Sequence, residues 1–177
     1  YGSRGANGVV LITTKKGKSD SRFKVELNTV NSISTVARYA DVFTGDEMRE
    51  YVNRVNPALA ATLGTANTDW QREIYRNAIS SDNLLTFSGG LKKLPYRLSL
   101  GYLNQNGILM KDNMQRTTAN LNLNPSFFKD HLRLDINQKS TLSNSFFANQ
   151  GAIGAAVAFD PTQPVRTESD RFGGFFE

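Results

Sequence analysis

The chain has 177 residues, of which 39% are hydrophobic and 21% charged, enough for one domain with a buried core. No apolar run approaches the roughly 20 residues of a spanning helix, which excludes a helical membrane protein but not a transmembrane β-barrel, whose strands alternate. With no cysteine and a single histidine, His131, the chain offers no disulfide framework, thiolate metal site, cysteine nucleophile or multi-histidine zinc site.

The net charge of +5 is local. Arg4, Lys15, Lys16, Lys18, Arg22 and Lys24 face only Asp20 in the first segment, and the remainder balances. No basic face interleaved with aromatics follows, so nucleic acid is not an expected partner. The chain opens on Tyr1 without a signal-peptide pattern and closes on Gly173-Gly174-Phe175-Phe176-Glu177, and is expected to be a piece of something longer.

In chain order, Val9-Val10-Leu11-Ile12-Thr13-Thr14 follows a glycine-rich turn and reads as a buried strand. Lys15 to Arg22 is a polar, basic linker. Phe23, Val25 and Leu27 then alternate with Lys24, Glu26 and Asn28, a half-wet strand that weakens towards Val36. Thr44-Gly45-Asp46-Glu47 has the capping-box form and predicts a helix ending before Pro57. Thr68-Asp69-Trp70-Gln71 predicts a second one, with Ile74 and Tyr75, after a loop rich in Ala, Thr and Asn.

Alternation returns after Asp82. Leu85 and Phe87 predict a strand stopping at Gly89-Gly90, and Tyr96, Leu98, Leu100 and Tyr102 predict the next. Asn106-Gly107 signals a turn within a longer loop. Ala119, Leu121 and Leu123 form a further strand, broken at Asn124-Pro125, and Leu132, Leu134 and Ile136 another. The result is an up-and-down meander. Alternation fits both a soluble sandwich and a membrane barrel. Short turns near Gly90 and Pro125, set against the long connection from Ala37 to Ser81, favour the barrel.

Chemical motifs are sparse. Gly2-Ser3-Arg4-Gly5-Ala6-Asn7-Gly8 leads into a strand rather than a helix, so it lacks the helix N-terminus that a phosphate loop needs. Gly17-Lys18-Ser19 has Ile12 where a P-loop needs its first glycine. Asp46, Glu47 and Glu50, like Asp69 and Glu73, sit in first helical turns, where capping and the helix dipole account for them. His131 beside Asp130 reads as a turn or interface residue, and no G-x-S-x-G elbow occurs. No catalytic, cofactor or metal residue is assigned, and the chain does not read as an enzyme. Trp70 is expected to pack within its own loop, and Tyr96 and Tyr102 to join an interfacial aromatic girdle.

Tyr1-Gly2-Ser3-Arg4-Gly5-Ala6-Asn7-Gly8-Val9-Val10-Leu11-Ile12-Thr13-Thr14-Lys15-Lys16-Gly17 closely resembles the end of the plug domain in SusC/RagA-type TonB-dependent outer-membrane transporters. Three later stretches agree in order: Thr68 to Gln71 with Ile74, Ser88-Gly89-Gly90 through Gly107-Ile108, and Arg116 to Asn124. Beyond about Phe146 the match is loose. The resemblance implies a mostly β chain, part of a plugged antiparallel transmembrane β-barrel, with two short helices in a long extracellular loop. It divides the chain into a plug end over 1–18, a linker over 19–22 and the first, incomplete barrel strands over 23–177. It further implies import of glycan or peptide fragments across the outer membrane, with a SusD-like surface lipoprotein, a TonB complex acting through a region outside this chain, and membrane lipid as partners. No cofactor is implied, and substrate residues are not assigned. Tyr1, Gly2, Ser3, Arg4, Gly5, Ala6, Asn7 and Gly8 are the candidate hinge, the glycines permitting a tight backbone path. A siderophore- or cobalamin-type receptor, and a non-transporting glycan-binding or adhesin module, stay open as alternatives.

Overall fold

The structure is a computed structural model that describes residues 15–18, 21–167 and 173–176. The Tyr1 to Gly8 hinge candidates and the Val9 to Thr14 strand lie outside the described residues. The elements run β1 (Lys24–Ser34), α1 (Gly45–Val55), a 3-10 helix (Pro57–Thr62), α2 (Trp70–Ile74), β2 (Ala78–Leu91) and β3 (Leu94–Asn106). They continue with β4 (Asn113–Leu123), β5 (Ser126–Phe127), β6 (Leu132–Arg133), β7 (Ile136–Phe146) and α3 (Gly151–Ala158). Five strands form one sheet in the order β1-β2-β3-β4-β7, the expected meander, and β5 pairs with β6 in a separate ribbon. No described helix is long and apolar enough to cross a membrane.

The chain divides into two compact units. A sheet unit comprises the described residues up to Val30, Ser81–Asn104 and Gln115–Asn144; a loop unit comprises Asn31–Ser80, Gln105–Met114 and the described residues from Ser145 on.

In the sheet unit, the β2–β3 register sorts side chains by chemistry. Leu85 lies opposite Leu100 and Phe87 opposite Leu98 on one face, with Asn83–Tyr102 and Gly89–Tyr96 beyond them. On the other face Thr86 lies opposite Ser99, Ser88 opposite Arg97 and Asp82 opposite Leu103. Directly opposed residues share a face, so each pair belongs wholly to one side. Phe23 stacks on Phe87 with centroids 6.2 Å apart, joining the apolar side. The Thr86 and Ser99 hydroxyls bond at 3.1 Å on the polar side.

Four expectations need correction. β2 does not stop at Gly89-Gly90 but continues to Leu91, turning at Lys92 in the left-handed region (φ 53°). The missing glycine side chain is made good by Tyr96, whose hydroxyl would lie 2.7 Å from a Cβ at Gly89. The Leu132-Leu134-Ile136 alternation is not one strand: Leu132 and Arg133 pair with Phe127 and Ser126, and β7 starts only at Ile136. The loop between the first two helices contains the 3-10 helix, with Pro57 at its start.

The second helix is capped one residue later than its box predicts. Asp69 accepts from Arg72 N, while Thr68 Oγ1 donates to Gln163 O and the Gln71 side chain is bonded to Ala40. The first box forms as expected. Thr44 Oγ1 accepts from Glu47 N at 3.3 Å, and Glu47 Oε2 accepts from Thr44 N at 2.9 Å. Thr44→Ala is therefore expected to cost about 0.5–2 kcal/mol of local stability. Faster amide exchange confined to the first turns of α1 in the intact receptor checks this.

Candidate functional site

The polar side of the sheet is a groove of about 440 Å³ to which all five strands contribute, among them Asn28 of β1, Asp82 of β2, Gly101 of β3, Thr118 of β4 and Thr141 of β7. The two edge strands and the central one can line one hollow only if the sheet curves around its polar face. A Cβ at Gly101 would run into Thr118 Oγ1, which would have to rotate away. Arg116 and Asp82 supply opposite charges to the lining.

The outer side is apolar and uncovered. Phe23 is 63% exposed, Leu27 67% and Leu100 42%. Apart from glycine and proline, Ala78 and Ala156 are the only buried apolar residues among those described. A self-contained sandwich covers its apolar face with a second sheet, and no second sheet lies on this one among the described residues. Among the described residues nothing covers the Phe23, Leu27 and Leu100 side of the sheet.

The loop unit is built around Asp160-Pro161-Thr162-Gln163. Thr162, fully buried, donates through N and Oγ1 to Asp160 Oδ1 at 2.8 and 2.7 Å. It also accepts from Gly64 N at its hydroxyl and from Ala66 N at its carbonyl, each at 2.9 Å. Pro161 O accepts from Thr68 N at 2.8 Å, and Asp160 O from Trp70 Nε1 at 2.9 Å. This four-residue clasp thus satisfies the amides of Gly64, Ala66 and Thr68, which have no sheet partner. Burial pushes the Asp160 carboxyl up, but the hydrogen bonds from Thr162 and Gln163 outweigh it and hold the group below its ordinary value.

Arg49 fixes the same loop from α1, donating to Gly64 O, Ala66 O and Asp46 Oδ1. Of the carboxylates singled out from sequence, Asp46, Glu47 and Asp69 act as caps and clamps. The Thr44 amide and hydroxyl hold Glu47 low, and Asp46 serves Arg49 and Asn67. Trp70 does not pack within its own loop. Its ring meets Phe159 edge-on at 4.9 Å, a partner distant in sequence. Beside them lies a cleft of about 580 Å³ lined by Tyr39, Phe43, Trp70, Arg72 and Phe159.

His131 sits in the turn between β5 and β6, its amide and its ring Nδ1 both against Phe128 O. No cluster of potential metal ligands occurs among the described residues. The clasp is the feature that reading the sequence missed. Asp before Pro signals a turn, but nothing local identifies the loop it holds.

No protein-family model matches the chain. Over its whole length it is 48% identical to TonB-dependent receptor SusC of Bacteroides thetaiotaomicron, of which it spans 18%. It is 40% identical over 73% of its residues to TonB-dependent receptor P3 of Formosa agariphila, of which it spans 13%. The chain thus spans less than a fifth of these relatives. Among solved structures it is similar to the RagAB peptide importer in its closed-closed state, with a TM-score of 0.65 at 24% identity over 85% of this chain and 21% of that one. At that identity the likeness is one of fold.

Proposed function

Because the chain belongs to the SusC/RagA-type family of TonB-dependent receptors of the bacterial outer membrane, and is no enzyme, we propose that it forms part of the wall and outer loops of an importer for glycan or peptide fragments. The observation that carries this reading is the five-stranded sheet that is polar within its curve and apolar, uncovered, outside it. The apolar side faces lipid and the groove side faces the lumen. The exposed edges, β1 and β7, await further strands, since an open edge is not tolerated in lipid.

On this reading residues 1–18 end the plug, 19–22 link it to the wall, and 23–177 begin the barrel. Tyr1 to Gly8 serve as the hinge that survives plug remodelling. The loop unit lies outside the cell, where its clasp keeps a long excursion in one conformation, and a SusD-like lipoprotein closes over it. A TonB complex drives transport through a segment outside this chain.

Growth of a strain lacking the receptor gene, and of one lacking tonB, is compared with wild type on starch, inulin, a casein peptide digest and a ferric siderophore as single sources. Loss in both mutants on one glycan or on the peptide digest is expected. Loss confined to the siderophore would move the receptor to the iron class. Equal growth of all three strains on every source would contradict import.

A further inference from the structure

Ahead of β1 the described residues Lys16, Gly17 and Ser21 are seated on the sheet unit. Lys16 Nζ forms an ion pair with the carboxylate of Asp135, in the connection from β6 to β7. Gly17 lies directly on the backbone of Tyr96 in β3, where a Cβ would fall 2.5 Å from its N and 2.6 Å from its O. Ser21 O accepts from Gly90 N at 3.0 Å. This stretch therefore touches both strands of the first hairpin and the corner that opens β7.

These contacts differ in kind. An exposed ion pair is weak on its own. The glycine contact is not adjustable, because the atoms that a side chain would meet are backbone atoms of a paired strand and cannot swing aside. Asp135 is itself oriented by Asn137, which donates to its Oδ1 at 2.8 Å. Hydrogen bonding from Lys16 and then from Asn137 holds its carboxyl below the usual range. The lysine thus meets an ionised, positioned partner while the glycine lets the chain come close enough to reach it.

We propose that Lys16 and Gly17, among the last residues of the plug end, form a clamp that fastens the chain to the barrel wall just ahead of the linker, so that the linker is part of the wall rather than a slack tether between plug and barrel. The purpose of the clamp rests on the transport reading, since it leaves remodelling of the preceding segment to stop at Gly17. Its existence does not, and the test is independent of uptake.

Lys15, Lys16, Lys18, Arg22 and Lys24 are all trypsin sites, so cleavage within 15–24 reports whether the linker is seated. In the intact receptor, purified in detergent, the wild-type linker should be cut slowly. Gly17→Val should raise that rate on the order of tenfold, and Asp135→Lys several-fold, because cleavage follows local opening. Lys16→Glu combined with Asp135→Lys rebuilds the ion pair in reverse and should return cleavage after Lys18 and Arg22, sites that every variant keeps, to within about twofold of wild type. A wild-type linker cut as fast as the Gly17→Val one would overturn the clamp, as would a reversed pair that behaves like Asp135→Lys alone. If uptake proves independent of TonB, these rates are unaffected, so the two failures are distinguishable.

Discussion

Leu100→Lys should remove most of the receptor from the outer membrane, whereas Leu103→Lys, further along the same strand, should leave its amount within about twofold. Leu100 is 42% exposed and lies opposite Leu85 on the apolar face. Against lipid, a lysine there costs about 2–4 kcal/mol near the midplane and less towards the interfaces. Leu103 lies on the groove face opposite Asp82, where a lysine meets water and a carboxylate. Quantitative blotting of outer-membrane fractions reads both variants. Equal loss would mean that the two faces are not lipid and lumen.

The second large effect belongs to the loop unit. Asp160→Ala removes the acceptor of the Thr162 amide and hydroxyl and of Gln163 Nε2. Thr162 is fully buried, so water cannot replace the carboxylate without opening the loop. A local cost of about 2–4 kcal/mol follows, read as faster amide exchange at Gly64, Ala66 and Thr68 in the intact receptor. The effect should also depend on pH. The folded Asp160 carboxyl titrates below its ordinary value, so its contribution is complete above the unfolded range near about 4. It is lost as pH falls through the lower, folded value. Acidification should therefore loosen the wild-type loop and leave Asp160→Ala comparatively unchanged.

Period-two alternation made the barrel strands legible because each strand has one apolar and one polar side. Phe23, Val25 and Leu27, and likewise Leu98 and Leu100, lie where that pattern puts them. Strand ends were less legible. Ala78 to Asn83 carries no alternation, so the start of β2 is silent in sequence. Gly89-Gly90 looks like a stop only because the ring that covers Gly89 comes from the neighbouring strand. Leu134 keeps the rhythm of a strand although its amide bonds to Pro125 O in a corner. In the loop unit, the caps of α1 are local and were readable. The partners of Trp70, Gln71 and Thr162 were not, because they come from distant parts of the chain.

The most direct test is to fractionate the native envelope and ask where the protein sits, what it needs to stay in solution, and what accompanies it. The account predicts an outer-membrane protein several times 19.6 kDa that is extracted only by detergent and co-purifies with a surface lipoprotein. A detergent-free, soluble species near 19.6 kDa would contradict it, because the apolar face of the sheet would then have to be covered by the chain itself.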